Sequence, residues 1–152
     1  MTIWTDLTKR WADSGLTIRD GVSLQRIAAF ERRFSVVLPQ PVIDYFCFVD
    51  GMDDTMCDEM FHFWTLDQVR PVSQVLGDDG NTYTDRYEYP GFFVFADYMI
   101  NAWDYAMLLT QDRNQPAPVR FVTGSLPAGW IAADSFTGFV RQYCDDPNVL
   151  LC

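Results

Sequence analysis

The stretch FFVFADYMINAWDYAMLLT (92–110) decides the fold. Its two ends, FFVFAD and YAMLLT, are short runs rich in aromatic and aliphatic residues. Strands of a half-buried or buried sheet have that length and content. The stretch is also the greasiest of the chain, so a membrane span has to be considered. Asp97, Asn101 and Asp104 interrupt residues 91–109, whereas a span needs about 20 mostly apolar residues. The segment is therefore read as a strand pair in a water-soluble sheet. VRFVT (119–123) reads as the next strand, joined to it by the hairpin-like loop DRNQPAP (112–118).

Working outward, MFHFW (60–64) reads as an earlier strand, with Phe61 and Phe63 on one face and His62 on the other. TLDQVRPVSQVL (65–76) is ambiguous and is taken as a short turn or helix. GDDGNTYTDRYEYPG (77–91) reads as a long polar loop. On the N-terminal side three helices are expected. The first covers residues 3–12, capped by Thr2, with Ile3, Leu7 and Trp11 at helical spacing. The second starts at Ser23, with Leu24, Ile27, Phe30 and Phe34 near one face and Arg26, Arg32 and Arg33 toward solvent. VVLPQP ends it, and Pro41 then suits the first turn of a third helix, PVIDYFCFVDG, which Gly51 is placed to stop. Past the strands, Asp134 or Ser135 can cap a last helix whose Phe136, Phe139, Val140 and Tyr143 fall at i, i+3, i+4 and i+7. Helices, then consecutive strands, then a helix predict an α+β fold. A single, mainly antiparallel twisted sheet has the N-terminal helices and the C-terminal helix packed beside it. At 152 residues, with 49% hydrophobic and 16% aromatic residues, one domain can bury its own core.

The formal net charge is −10, from 11 basic and 21 acidic residues. Up to Arg33, six cations stand against four acids, a net of +2, which leaves −12 for the remainder. Such a field repels phosphate backbones and speaks against nucleic-acid binding. It speeds encounter with a basic protein partner; it also simply keeps a protein in solution. The charged start, MTIWTDLTKRWADSG, lacks the apolar run of a signal peptide, so a cytoplasmic location is expected. The four cysteines Cys47, Cys57, Cys144 and Cys152 include no CxxC and are expected to be reduced, with Cys47 and Cys144 buried on helices.

Chemistry is sparse. His62 is the only histidine, so any Ser-His or Cys-His nucleophile system must use it; the simpler reading is a structural or surface residue. The acidic loop after Asp50 fails as a calcium loop, because Met52 and Phe61 occupy ligand positions and Thr55 stands where the glycine belongs. GDDG cannot cradle a phosphate, since its aspartates repel one. Ser135 in DSF reads as a helix cap rather than a nucleophile. No metal or other cofactor and no catalytic residue is expected. Two loops have binding promise. One holds Asp53, Asp54, Asp58 and Glu59; the other holds Asp78, Asp79, Tyr83, Tyr87 and Tyr89. Tyrosines beside acids supply contact area at small entropy cost and select basic partners. Alternatively, the second loop folds back and its tyrosines cover the sheet.

Three blocks, IAAFERRFSVVLPQPVIDYFCFVDG (27–51), FVFADYMINAWDYAMLLT (93–110) and IAADSFTGFVRQY (131–143), resemble the SUKH superfamily of fungal cell-wall assembly regulators and bacterial immunity proteins. The matching positions are Phe30, Glu31, Leu38, Pro39 and Gly51, then the FADY and YAMLL strands, then Ala133, Asp134, Ser135 and Phe136. The first helix, with Trp4 and Trp11, and the loop around Tyr83 lie outside it. The resemblance implies one twisted sheet with helices beside it, no enzyme activity, and action by binding. The leading expectation is an immunity-type protein that sequesters a basic toxin, such as a nuclease, through Asp53, Asp54, Asp58, Glu59, Asp78, Asp79, Tyr83 and Tyr87. A scaffold or regulatory module without a toxin partner is the alternative, and an enzyme comes third.

Overall fold

The computed structural model describes residues 2–75, 89–122 and 131–151. Three helices come first: α1 (Ile3–Asp13), α2 (Leu24–Phe34) and α3 (Gln40–Phe48). Strands β1 (Phe61–Phe63) and β2 (Arg70–Pro71) follow, then the single-turn α4 (Val72–Val75). The centre is β3 (Phe92–Tyr98), β4 (Trp103–Leu108) and β5 (Val119–Val122). Strand β6 (Ile131–Ala133), helix α5 (Phe136–Asp145) and a 3-10 turn (Pro147–Leu150) close the chain.

The strands form one sheet in the order β1-β3-β4-β5-β6, with β2 also paired to β3. Every one of these pairings is antiparallel. The fold is thus α+β with a single antiparallel sheet, as the order of elements predicts. The β3–β4 hairpin pairs Phe92 with Leu108 at one end and Tyr98 with Trp103 at the other, and a bulge sits at Val94/Ala96.

Alternation along the strands sends Phe61, Phe63 and Tyr105 to the face that carries α5. There Phe139 lies 5.0 Å from the Tyr105 ring and 5.2 Å from Phe95, and Tyr143 lies 4.9 Å from Phe63. Trp4, Leu7 and Trp11 of α1 and Val42, Ile43, Tyr45 and Phe46 of α3 complete the core. The caps form as expected: Thr2 accepts from Thr5 N–H at 3.3 Å, and Ser135 Oγ accepts from Gly138 N–H at 2.9 Å. Ser135 is therefore occupied as a cap. Glu31, of the Phe-Glu pair, accepts from Leu38 N–H at 2.7 Å and pairs with Arg113 at 3.0 Å, so it fastens α2 to the chain entering α3 and to the loop after β4.

Several expectations need correction. Leu24 does not join the buried face of α2; it is 70% exposed, one turn before Ile27 begins the contact. Helix α3 ends at Phe48, and the extended Val49, not Gly51, follows its last turn. Gly51 serves a different need. Its φ is +61°, and a Cβ there would lie 2.4 Å from the Trp64 carbonyl oxygen, so it lets two backbones pass. Cys47 is exposed and Cys144 only half-buried, because each lies off the apolar stripe of its helix. The ambiguous segment splits into the two-residue β2 and α4. Strand β6 takes IAA (131–133), for which the sequence predicts no strand.

Candidate functional site

The acidic loop after α3 does not form one continuous charged face. Asp53 is ion-paired with Arg19 at 2.6 Å. Asp58 is only 5% exposed; its Oδ2 accepts from Arg10 Nε at 2.7 Å and from the Tyr143 hydroxyl, and its Oδ1 accepts from Ser14 Oγ at 2.9 Å. Trp11 Nε1 in turn donates to Tyr143 at 3.1 Å. Asp58 therefore ties α1 and α5 to the chain entering β1, and its carboxylate faces inward rather than toward a partner. Asp54 and Glu59 remain exposed. Asp50, buried beside them, accepts from Leu66 N–H at 2.7 Å and lies within 3.5 Å of Arg19 and 3.8 Å of Arg26. Arg10, Arg19 and Arg26 are thus folded back onto the acids of the next segment. Arg26 is exposed, as expected, and also pairs with Asp67 at 3.0 Å. Asp78, Asp79, Tyr83 and Tyr87 lie outside the described residues. Tyr89 is buried, with the Arg120 guanidinium 4.6 Å from its ring centre.

Asp54 borders a groove of about 580 Å³. One side is the loop Asp54, Thr55, Met56 and Cys57; the floor is His62, Trp64, Arg70 and Asp97; the far side is Met60 with Met99, Ile100 and Asn101. A volume of several hundred Å³ suits a small ligand or a few partner side chains. The floor is held by its own bonds. Trp64 Nε1 donates to Asp97 Oδ2 at 2.7 Å, and Asn101 N–H donates to Asp97 Oδ1 at 3.2 Å. The Arg70 guanidinium lies 5.6 Å from the Trp64 ring centre. His62 Nδ1 lies 2.7 Å from the Met56 carbonyl. A carbonyl only accepts, so Nδ1 carries the proton and Nε2 of the neutral ring keeps its lone pair. His62 is the cross-strand partner of Asp97, yet each is bonded elsewhere, and no His–carboxylate dyad forms between them.

The far side was not legible as a site. Glu59 and Met60 have φ of +51° and +70°, and Met99, Ile100 and Asn101 have +54°, +55° and +62°. None is glycine. Left-handed backbone is unfavourable for ordinary side chains and most of all for the β-branched Ile100; such conformations cost about 1–3 kcal/mol each and cluster at binding sites. The two turns are tied together, since Met99 N–H donates to the Met60 carbonyl at 2.9 Å. They hold Met60, Met99 and Ile100 in water, Ile100 with 90% of its surface exposed. The available signal was MINA, a reversal between two strands that carries a large apolar pair instead of the usual glycine.

Behind the groove floor, Asp97 stands opposite Asp104 on the next strand. Asp104 is 5% exposed, and its Oδ1 has no hydrogen-bond partner among the described residues. Burial, and then the charge of Asp97, push the Asp104 carboxyl up from 3.8 to about 7, partly offset by Arg70. A carboxyl that holds its proton longer in the folded state than in the unfolded chain loses its stabilising effect as pH rises. Stability should therefore fall between pH 4 and pH 7 and level off above. Asp104→Asn should remove that slope: the variant's advantage in melting temperature should be smallest near pH 4, grow up to pH 7 and stay constant above. Equal curves for the two proteins would mean that Asp104 ionises without cost.

Among the described residues, no helix is long and apolar enough to cross a membrane, and no group of three His, Cys, Asp or Glu side chains is placed to hold a metal ion. No family model matches the chain, and no curated protein matches it.

Proposed function

We propose that the chain is a non-enzymatic protein-binding module of the immunity type, which sequesters a basic toxin domain by covering it. The observation that carries this reading is the apolar wall of Met60, Met99 and Ile100, held in solvent on two left-handed turns beside the groove and next to Asp54. Ile100 buries almost none of its surface in the fold, and flexible thioethers suit a surface that packs against a partner. The chain's net charge of −10 favours a basic partner. The resemblance to the SUKH superfamily supports the same class of function. In this reading Asp54 and Glu59 face the partner together with Asp78, Asp79, Tyr83 and Tyr87, while Asp53 and Asp58 act by shaping the loop. A cytoplasmic location and the absence of nucleic-acid and membrane partners belong to the same proposal.

A second reading, a scaffold or regulatory module without a toxin partner, is favoured by the pairing of Arg10, Arg19 and Arg26 with loop acids, which leaves a mixed rather than uniformly acidic surface.

Binding kinetics against any basic toxin domain encoded by a gene neighbour test the proposal at low and high salt. Apolar contacts act after encounter and charges before it. Met99→Ala with Ile100→Ala should raise the dissociation rate by an amount worth about 2 kcal/mol if the wall is a hot spot. Asp54→Asn with Glu59→Gln should lower the association rate and flatten its salt dependence. Parent-like rates for both variants would remove this surface from the interface. Failure of the parent to bind any neighbouring gene product would leave the scaffold reading.

A further inference from the structure

We infer that the groove is also a binding site for a soft monovalent metal ion, Cu(I) being the physiological candidate, held by donors drawn from the thiolate of Cys57, the Nε2 of His62 and the thioethers of Met56, Met60 and Met99, of which Cu(I) takes up to four at a time. This inference does not rest on the protein-binding proposal.

All five side chains line the one groove. Two turns bring them there: Met56, Cys57 and Met60 come from the loop leading into β1, His62 from β1 itself, and Met99 from the β3–β4 turn. The Met99 N–H to Met60 carbonyl bond of 2.9 Å locks the two turns side by side. Thiolate and thioether sulfur select soft ions such as Cu(I), and imidazole completes such sites readily.

The imidazole supplies a separate observation. A metal-binding histidine almost always donates its other ring N–H to a carbonyl or carboxylate, which fixes the tautomer and aims the free nitrogen. His62 has that arrangement, with Nδ1 2.7 Å from the Met56 carbonyl. Its partner is the backbone of one of the sulfur donors, so a ring rotation that lost the bond would also loosen that donor. The neighbouring carboxylate does not compete, because both oxygens of Asp97 already accept bonds from Trp64 and Asn101. Hard cations find little here: no group of three His, Cys, Asp or Glu converges among the described residues, and oxygen-loving ions such as Mg²⁺ or Ca²⁺ need such donors. Cys57 is exposed, so an ion can reach it without any unfolding.

The thiols elsewhere must be removed for a clean test, so Cys47→Ser, Cys144→Ser and Cys152→Ser form the background. Two measurements are made on the full chain without oxygen. In the first, the protein competes with bicinchoninate for Cu(I). One equivalent should be withdrawn from the dye. Met60→Leu with Met99→Leu, which keeps the apolar volume, should weaken binding roughly tenfold or more, and so should His62→Gln, while Cys57→Ser should abolish it. In the second, Ag(I) is titrated into protein labelled at its methionine methyl groups. The Met56, Met60 and Met99 signals should move and saturate at one equivalent, while those of the buried Met52 and Met107 stay still. The second measurement needs none of the ligand variants to fold. Binding that survives unchanged in the leucine variant, or silver that leaves the three methyl signals unmoved, would reduce the site to an ordinary thiol and overturn the inference. The leucine variant should retain any partner that packs against apolar surface, so loss of metal binding and loss of partner binding are separable.

Discussion

Asp58→Ala should destabilise the protein by about 3 kcal/mol, read as a lower urea midpoint at an unchanged slope. The residue joins three parts of the chain that are distant in sequence: Arg10 and Ser14 around the end of α1, and Tyr143 on α5. Breaking a buried ion pair by removing one partner costs about 3–5 kcal/mol, because the other charge is left without compensation. Here the low end of that range applies. Arg10 keeps 25% of its side chain in water, so water can take over part of the carboxylate's role. The Tyr143 hydroxyl is worse placed. It is fully buried, and its proton would lose its acceptor, at a cost of about 1–3 kcal/mol within that total. Tyr143→Phe together with Asp58→Ala should therefore be less harmful than the separate losses imply. A midpoint within experimental error of the parent for Asp58→Ala would mean that α1 is held by its apolar face alone. The same variant also sorts structure from recognition. If Asp58 acts only inside the fold, its effect on partner binding should vanish at temperatures where the variant remains fully folded.

Asp58 also illustrates why the site was less legible than the fold. In sequence it stands among Asp53, Asp54 and Glu59 and reads as part of an acidic surface. Its physical role is set by Arg10, 48 positions earlier, and Tyr143, 85 positions later. Local spacing carries no information about such pairings. The opposite holds for α5 and the β3–β4 hairpin. Phe136, Phe139, Val140 and Tyr143 repeat at the helical period and are all buried, because one face of a straight helix must carry every contact with the sheet. The runs FFVFAD and YAMLLT are apolar enough to be strands wherever the rest of the chain goes. The short elements sit between these cases. Strand β2 has two residues and β6 has three; each exists because a neighbouring strand offers it a partner, and neither has a period of its own to read. The apolar wall of the groove escaped for a further reason. Met99 and Ile100 lie within an apolar block, where hydrophobic residues are expected to be buried. Only the hairpin register, which pairs Tyr98 with Trp103, places them on the turn and hence in water.

The largest loss is expected from Phe139→Ala, about 3–5 kcal/mol. Its ring is completely buried and stands at the crossing of α5 with the three strands β1, β3 and β4. Ring centres of Phe63, Phe95 and Tyr105 lie at 6.2, 5.2 and 5.0 Å. Those neighbours are themselves large and wedged between rigid strands, so they cannot collapse far into the space left behind, and the cavity term should be retained nearly in full. Gly138 beside it offers no side chain to fill the gap. The contrast is Ile100→Ser. That residue is as apolar as Phe139, but it is 90% exposed, so its replacement should cost no more than about 0.5 kcal/mol, and relief of its left-handed backbone strain works only against that cost. Measured side by side in urea, the two substitutions separate hydrophobic residues that build the fold from those that are displayed by it. A small effect at Phe139 would mean that α5 can shift along the sheet to refill its core. A loss of several kcal/mol at Ile100 would mean that the exposed wall is structural, and its case as a contact surface would go with it.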